Sequence, residues 1–584
     1  MACFRRGKLD ERPGCAEAIK GRSDKHAVTE GGISLLDTHR SILAILVALF
    51  LLVCLSAINS PVSAAECGPA RRQLTVTNAT TQTIWIAGGG GALRSVCVVS
   101  ASESCLAVPS TIDAATGACQ CGPDAGTLAC PATATATGSG TNGGLNCACT
   151  TDADCGPTAR CNASTNLCYF VLPTAKSPTP FNWKLFPTQS AIFCVAPASV
   201  NSSFGTIPSA VWWSGGIFAR TGCRPDGTGC TTADCGAQAN SNCGAGVGGQ
   251  NPATIAEFTL QRKANDFYDI TLINGANLAE RMAPIPAPVA TPGAVPKPYW
   301  CKVPGSFVNP CAPRDCNWNF GKYIKNVPYP STTSTTDFTT LLLHSSKKCF
   351  STSECQAGYT CSGSPGACTK TCTSDSDCAG TDQPHCLSGG NGHTYCQCNA
   401  ESDCTGHSYC GTQFIPGIGP NQTYLHQCGI FAGWWTIDDF CANQNNVVSP
   451  IDCGASMFDG DGSSTTNLAS LAGCTIRGSS SPGNGTSCYN DSTYPTTCCG
   501  CATDSSNVLA QYWPPGAASA CNGNNNTTWA SAIQPFLVNL KRACPTAYSY
   551  PYDDPTSTFQ CRSDKPINRL GYKVIFRDLV RPPK

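Results

Sequence analysis

Charged residues are scarce in this chain. Only 13% of its 584 residues carry a charged side chain, against about 25% in a typical soluble domain. Lysine plus arginine and aspartate plus glutamate number 37 each, so the formal net charge is zero. A neutral chain has no long-range field to attract nucleic acid or an anionic membrane surface. We therefore expect no nucleic acid partner, and membrane contact only through an uncleaved hydrophobic anchor near the N-terminus.

Sustained helical periodicity is also missing. Outside one apolar run near the N-terminus, only residues 528–542 space their apolar side chains as a helix does, which predicts short helices there. Residues 73–87 alternate apolar and polar side chains, which predicts an antiparallel pair of half-buried strands. Residues 254–260 and 267–273 predict a second pair, and residues 571–576 a further strand. The chain is therefore predicted to be mainly β, with many short strands and long loops.

The motifs of common cofactor and metal sites are absent. The glycine-rich residues 244–249 do not join a strand to a helix, so they do not predict a phosphate-binding loop. Residues 458–464 space two aspartates as a calcium loop does, but the required glycine and glutamate are missing. No Ser–His–Asp or Cys–His nucleophile is indicated. We expect no cofactor and no metal.

Cysteine, by contrast, is abundant. The chain contains 44 cysteines, a number that is hard to keep reduced in the cytosol, so an oxidising compartment is expected. The same compartment favours disulfides over zinc for the cysteines that lie near four histidines, His385, His393, His407 and His426. Cys3, Cys15 and Cys54 precede the part expected to be oxidised, and an odd number remains, so at least one thiol is unpaired within a monomer.

The apolar run at residues 41–58 is long enough to cross a bilayer, which takes about 20 residues. Eight lysines and arginines precede it, which predicts a cytosolic N-terminus. Small residues before Glu66 suit signal peptidase, whereas the long leading region suits an uncleaved anchor. The remaining chain is then either secreted and extracellular or the lumenal part of a type II membrane protein. Eight sequons predict surface glycans in a eukaryotic secretory setting: Asn78, Asn162, Asn201, Asn421, Asn484, Asn490, Asn525 and Asn526.

One cysteine spacing is repeated along the chain. The pattern C-x5-C-x5-C-x6-C occurs at residues 149–168 and again at residues 349–368, and looser copies follow at residues 372–396 and 398–428. In all four copies an aspartate or glutamate precedes the second cysteine. Each copy has too few apolar residues to bury a core, so crosslinks of about 2–4 kcal/mol each must hold it. We predict four knot-like disulfide modules.

Two blocks of sequence carry a family resemblance. WSGGIFARTGC, IAEFTL and FYDITL lie within residues 213–283, and CPTAYSYPYDDPTSTFQC ends at Cys561. Together they resemble the thaumatin-like family of secreted, disulfide-dense β-sandwich proteins. The resemblance implies a thaumatin-like β-sandwich with disulfide-rich, loop-dominated insertions. It divides the chain into a cytosolic region (1–40), a signal peptide or anchor (41–65), a first thaumatin-like part (66–96), a cysteine-rich insertion (97–170), a second thaumatin-like part (171–320), a cysteine-rich repeat insertion (321–430) and a third thaumatin-like part (431–584).

The resemblance also implies a set of disulfides. The expected bridges are Cys223–Cys230, Cys235–Cys243, Cys488–Cys498, Cys499–Cys501, Cys316–Cys544 and Cys311–Cys561. The family usually ties its first strand to its last with a further bridge, but this chain has Thr80 and Arg577 at those positions. The joint loss is what a true structural correspondence predicts, because a single remaining cysteine would be a reactive thiol.

An acidic cleft that receives glycan is the functional surface implied by the resemblance. Glu257, Asp269 and one of Asp553 and Asp554 match its acids, whereas Asn274 replaces an aspartate and Gly216 replaces an arginine. Glu257 and Asp269 lie on opposite arms of the predicted hairpin, so they share a face if the register allows.

Several roles remain open for these side chains. They can bind extracellular polysaccharide, with β-1,3-glucan as the ligand suggested by the resemblance, because each carboxylate accepts two hydroxyl hydrogen bonds. Glu257 and Asp269 can instead be the acid and base of an endo-β-1,3-glucanase-like hydrolase, if their separation suits one. The acids can also hold the sandwich corners by bonding loop amides or Arg220. A structural or protein-binding role through the cysteine-rich modules is a further alternative.

Overall fold

In the computed structural model the described residues are 72–90, 184–195, 211–224, 227–234, 249–285, 299–307, 315–324, 335–363, 366–389, 392–415, 423–441, 465–474, 527–551, 553–565 and 567–583, together with short strands elsewhere. The predicted signal or anchor segment lies outside them. Within these ranges no helix combines the length and apolarity needed to cross a bilayer.

Strands predominate over helices, as the sequence predicts. The strands before the larger insertion are β1 (Arg72–Asn78), β2 (Ile84–Gly90), β3 (Val96–Val99), β4 (Ser110–Ile112), β5 (Cys119–Cys121), β6 (Thr135–Ser139), β7 (Leu145–Ala148), β8 (Ala159–Asn162), β9 (Leu167–Phe170), β10 (Lys184–Leu185), β11 (Ser190–Val195), β12 (Val211–Thr221), β13 (Ile255–Gln261), β14 (Asp266–Thr271) and β15 (Ala279–Ile285). Those that follow are β16 (Val327–Pro328), β17 (Thr335–Thr336), β18 (Leu343–Ser346), β19 (Lys348–Cys349), β20 (Thr360–Gly363), β21 (Gly366–Thr369), β22 (His385–Ser388), β23 (Thr394–Gln397), β24 (Tyr409–Ile415), β25 (Thr423–Trp434), β26 (Val447–Val448), β27 (Ile451–Asp452), β28 (Ser456–Phe458), β29 (Thr465–Asn467), β30 (Phe559–Cys561) and β31 (Gly571–Arg577).

The described α-helices are short. They are α1 (Gly321–Ile324), α2 (Thr339–Leu342), α3 (Ile437–Cys441), α4 (Leu468–Ala472), α5 (Thr527–Ala532), α6 (Gln534–Ala543) and α7 (Asp554–Ser557). Helices α5 and α6 confirm the helical spacing predicted for residues 528–542. The last turn of α6 carries two basic residues, Lys541 and Arg542, and positive charge suits the negative end of a helix.

Two sheets pack face to face and assemble distant parts of the chain. The five-stranded sheet has the order β15-β31-β1-β11-β3, and the six-stranded sheet has the order β10-β2-β12-β13-β14-β30. β1 pairs in parallel with β31, although about five hundred residues separate them. Aromatic rings fill the space between the sheets, with Tyr572 centred 5.4 Å from Phe258 and 4.9 Å from Tyr268. This is the two-sheet, mainly β fold that the sequence predicts.

The strand pair predicted for residues 73–87 is wrong in one respect. Both strands form, but β1 joins the five-stranded sheet and β2 the six-stranded sheet. Leu74 of β1 and Ile84 of β2 are both buried in the core between the sheets. The two strands therefore lie on opposite sides of the core and are not neighbours in one sheet. The second predicted pair is correct, since β13 and β14 form an antiparallel hairpin.

Two of the implied disulfides are present, and one is wrong. The bridges Cys223–Cys230 and Cys316–Cys544 form, whereas Cys561 pairs with Cys301 and not with Cys311. The Cys301 amide donates to the Gln560 carbonyl at 2.8 Å, which places Cys301 beside Cys561. The other implied partners lie outside the described residues: Cys235, Cys243, Cys488, Cys498, Cys499 and Cys501.

The three described modules of the larger insertion share one connectivity, first cysteine to third and second to fourth. The bridges are Cys349–Cys361 and Cys355–Cys368, Cys372–Cys386 and Cys378–Cys396, and Cys398–Cys410 and Cys404–Cys428. The acid before each second cysteine orders the loop around it. Asp377 accepts from the Thr373 and Ser374 amides, and Asp403 from the Asn399 and Ala400 amides.

The larger insertion is fastened to the sandwich. Arg224, in the loop closed by the Cys223–Cys230 bridge, places its guanidinium 3.5 Å from the centre of the Phe350 ring in the first described module. Lys348 donates to the Cys230 carbonyl and lies 3.9 Å from Asp234. The modules therefore sit on the sandwich as inserted units instead of forming a separate string.

Hydrogen bonds replace the missing bridge between the terminal strands. The Ala79 amide donates to the Phe576 carbonyl and the Thr81 amide to the Asp578 carboxylate, both at 2.8 Å. Asn78 is fully buried and donates to the Gln82 and Leu185 carbonyls. The predicted glycan at Asn78 is therefore wrong, because a glycan there would have to occupy the core.

The other predicted glycan sites are not tested by the described structure. Asn162 ends β8, and its side chain is outside the described set. Six further sequon asparagines lie outside the described residues: Asn201, Asn421, Asn484, Asn490, Asn525 and Asn526.

Candidate functional site: an acidic row on the outer sheet face

Glu257 and Asp269 are direct neighbours across the β13–β14 hairpin. Gly89, Gly216, Glu257 and Asp269 are successive cross-strand partners on β2, β12, β13 and β14. We call these four residues the acidic row. The flanking residues Phe258 and Tyr268 are buried between the sheets. Because side chains alternate along a strand, both carboxylates point away from the core.

Two glycines continue the row beside the acids. Neither Gly89 nor Gly216 has a side chain, and the Ile255 side chain lies over Gly216. A Cβ atom on Gly216 would lie 2.6 Å from Cγ2 of Ile255, closer than packed carbon atoms approach. The arginine that the resemblance implies at this position has therefore been lost together with the space to hold it.

The carboxyls of the acidic row hold their protons more tightly than usual. Burial raises the pKa of Glu257, although its side chain keeps access to solvent. Burial raises the pKa of Asp269 well above its ordinary value, and the charge of Glu257 and then those of Asp554 and Asp553 add to the effect. Oδ1 of Asp269 is buried without a hydrogen-bond partner among the described residues. Burial and mutual repulsion therefore both favour the protonated form of this pair.

Asp553 and Asp554 are adjacent in sequence but differ in environment. Asp553 is fully buried; its carboxylate lies 2.5 Å from Nζ of Lys541 and accepts from the Ser549 amide and hydroxyl at 2.9 Å. Asp554 is exposed, and its carboxylate accepts from the Thr558 hydroxyl at 3.1 Å. Asp553 therefore orders a loop, and Asp554 is the acid of this pair with access to a ligand.

Sequence reasoning missed Glu280. It lies on β15, is fully buried between the sheets, and neither carboxylate oxygen has a hydrogen-bond partner among the described residues. Burial raises its pKa well above the ordinary value, and the charges of Asp269 and Glu257 raise it further. A signal was present, because Met282 is an apolar residue two positions on and predicts that Glu280 shares its core-facing side.

Two further candidates lie apart from the acidic row. Asn274 follows β14 in a turn, and its carbonyl accepts from the Ala253 amide at 2.6 Å. Arg220 is buried and donates to the Gly227 carbonyl at 2.7 Å; burial lowers its pKa to about 10, although Asp234 opposes the effect. Arg220 is therefore occupied by a loop carbonyl.

Aromatic side chains divide between the core and the cleft face. Trp85, Trp213, Trp434 and Trp435 are buried. Phe267 is 38% exposed and lies two residues before Asp269 on the same face of β14. An apolar ring thus lies beside the acidic row.

Similar proteins place the chain in a family. The Thaumatin family model matches residues 195–415. Thaumatin-like protein 1 of Prunus persica is 32% identical over 171 residues, which cover 26% of this chain and 68% of that protein. A thaumatin-like protein of Arabidopsis thaliana is 45% identical over 76 residues, covering 12% and 30% of the two chains. A glucan endo-1,3-beta-glucosidase of Prunus avium is 42% identical over 82 residues, covering 13% and 33%.

The matched segments thus span less than two thirds of the Arabidopsis thaliana and Prunus avium proteins. The Prunus persica match exceeds that share at 68%. The two-sheet sandwich, the Cys223–Cys230 and Cys316–Cys544 bridges and the shared sequence agree, and this chain belongs to the thaumatin family.

Proposed function

We propose that this protein binds an extracellular polysaccharide of the β-1,3-glucan type through the acidic row. The observation that carries the proposal is the pairing of Glu257 with Asp269 on an outer sheet face, with both side chains directed away from the core. Carboxyl groups accept hydrogen bonds from sugar hydroxyls, and a protonated carboxyl also donates one. Phe267 adds an apolar ring, on which the CH-rich face of a pyranose can stack.

The name of one relative is consistent with this ligand class. The Prunus avium relative is named a glucan endo-1,3-beta-glucosidase. The matched segment covers 33% of the length of that relative. Its name therefore supports only the class of ligand that we propose for this chain. We propose the same class of sugar, bound without a requirement for cleavage.

The protein is proposed to act outside the cell. Ten described disulfides fit an oxidising compartment. We propose either secretion after cleavage of the signal segment or a type II anchor at residues 41–58. Mass analysis of the N-terminus of the mature protein distinguishes the two, because only cleavage removes the apolar run.

A pull-down on insoluble β-1,3-glucan, chitin and cellulose tests the binding. We expect retention of the parent on the glucan and loss of retention for the Glu257→Ala, Asp269→Ala double variant. Asp564→Ala, which removes an exposed acid away from the acidic row and the modules, is the matched control and should be retained like the parent. Equal retention of the parent and the double variant would exclude the cleft and direct attention to the cysteine-rich modules.

One observation favours a glycoside hydrolase as the second candidate. The pKa of Asp269 is raised well above its ordinary value beside Glu257, and glycoside cleavage uses one carboxyl of raised pKa next to another acid. The hydrolase predicts that reducing ends are released from laminarin and that Glu257→Gln abolishes the release. If the protein releases reducing ends no faster than a denatured control, the hydrolase is excluded and the binding proposal is unaffected.

A further inference from the structure

The outer face of the five-stranded sheet gathers three cations around one apolar side chain. Arg281 of β15 lies opposite Ile575 of β31, so Lys573 and Arg577, two residues to either side of Ile575, are its diagonal neighbours. Diagonal neighbours in an antiparallel pair are about 7–8 Å apart, which long side chains can bridge. We call Arg281, Lys573 and Arg577 the cationic face.

The cationic face lies on the side of the sandwich opposite the acidic row. Met282, Val574 and Phe576 are buried in the core between the sheets. Side chains alternate along a strand, so their neighbours on the cationic face point away from the six-stranded sheet. A ligand on the cationic face therefore leaves the cleft at Glu257 and Asp269 open.

The three cations repel one another without full compensation. Burial lowers the pKa of Arg281, and the charge of Arg577 lowers it further, while Asp315 opposes the effect. Burial and then the charge of Arg281 lower the pKa of Lys573. Nε of Arg281 is buried without a hydrogen-bond acceptor in the part of the chain that the structure describes. Like charges on neighbouring strands destabilise a sheet, and an anionic ligand would relieve this repulsion.

Arg577 is held in place for such a ligand. Its guanidinium carbon lies 3.8 Å from the centre of the Phe307 ring, and the side chain remains exposed. A guanidinium on an aromatic ring keeps its N–H groups free at the edge for bidentate contact with an acid. The residue stands where the family resemblance implies a cysteine, and the Thr81–Asp578 hydrogen bond already joins the strand ends there.

We propose that the cationic face binds the carboxylate or sulfate groups of an anionic polysaccharide, independently of the acidic row. Arginine pairs well with such planar or multi-oxygen groups. Thr77, which lies beside Ile575 on β1, and Ser190 add hydroxyls 2.9 Å apart to the same face.

A thin polymer suits this face better than an anionic bilayer. Arg281 and Lys573 are only half-exposed on the sheet surface, where a narrow chain reaches more easily than a flat membrane.

Affinity measurements on the full chain test the proposal with three probes: polygalacturonate for carboxylates, heparin for sulfates, and neutral laminarin. We expect the parent to bind at least one anionic polymer, with an affinity that falls as salt is added. The triple variant Arg281→Gln, Lys573→Gln, Arg577→Gln should bind it about tenfold or more weakly. Lys263→Gln removes an exposed cation from the β13–β14 turn and should match the parent.

The proposal is separable from glucan binding. The Glu257→Ala, Asp269→Ala variant should keep the parent's affinity for the anionic polymer. The melting temperature of the triple variant should be equal to or above that of the parent, because repulsion is removed. The proposal is overturned if neither anionic polymer binds, if the triple variant binds like the parent, or if vesicles containing phosphatidylserine bind in preference to both polymers. A lower melting temperature with unchanged binding would also overturn it, since the cations would then be structural.

Discussion

Glu257 and Asp269 face each other across the β13–β14 hairpin, and beneath them Glu280 is buried between the two sheets. Their charges act on one another, because the pKa of Glu280 is raised first by burial and then by Asp269 and Glu257. The acidic row thus has a third acid beneath it in the core, and because this acid has no described hydrogen-bond partner it affects the stability of the sandwich.

Replacing Glu280 with methionine should stabilise the protein, and more so at high pH. The folded protein holds the proton of Glu280 more tightly than the unfolded chain does, so the unfolded state binds fewer protons above the ordinary value of 4.5. The protein therefore keeps its full stability below pH 4.5, where Glu280 is protonated in both states. Its stability falls as the pH rises from there through the raised pKa of Glu280 in the folded protein.

Urea unfolding at pH 4 and pH 8 measures the effect of Glu280→Met. We expect the free energy of unfolding to increase by about 1–3 kcal/mol at the higher pH, which is the usual cost of burying an unpaired polar group. The increase should be smaller at the lower pH. The exposed-site variant Asp564→Asn should show no such difference. An equal or smaller gain at pH 8 than at pH 4 would contradict the account of Glu280.

Asp553→Asn and Asp554→Asn form a matched pair with opposite expectations. Asp553 neutralises the buried Lys541 at 2.5 Å, so its replacement should destabilise the protein by about 3–5 kcal/mol. Asp554 is exposed, so its replacement should change stability by no more than about 0.5 kcal/mol. Equal losses in chemical unfolding would show that the two acids have been assigned the wrong environments.

Gly216→Ala should be destabilising because of Ile255. The added Cβ would lie 2.6 Å from Cγ2 of Ile255, and overpacking of this kind lowers the free energy of unfolding by about 1–3 kcal/mol. In an Ile255→Ala background the Gly216→Ala change should lower the free energy of unfolding much less. A double-mutant cycle measures this coupling, and additive effects would mean that contact with Ile255 is not what excludes a side chain from position 216.

Disulfide mapping of the unreduced protein checks the sandwich crosslinks. Proteolysis followed by mass analysis should recover a peptide that links Cys301 to Cys561, a bridge with a sequence separation of 260 residues. Recovery of a Cys311–Cys561 peptide instead would show that β30 is tied to a different part of the chain.

The sequence predicts most of the local structure and less of what spans the two sheets. Alternation predicted β13 and β14, whereas a shared face for their acids depended on the register, which only the structure gives. Alternation could not show that β1 and β2 enter different sheets, because a strand's pattern reports one buried face and not the partner that buries it. The choice of Cys301 over Cys311 depends on pairing with Gln560, a contact made far along the chain.

Titration calorimetry of soluble β-1,3-glucan oligosaccharides against the parent and the Glu257→Ala, Asp269→Ala variant tests the central claim most directly. The account predicts saturable binding to the parent and, at the same concentrations, no measurable binding to the variant, with Asp564→Ala binding like the parent. Equal binding to the parent and the double variant would contradict it, as would the absence of binding to a correctly folded parent.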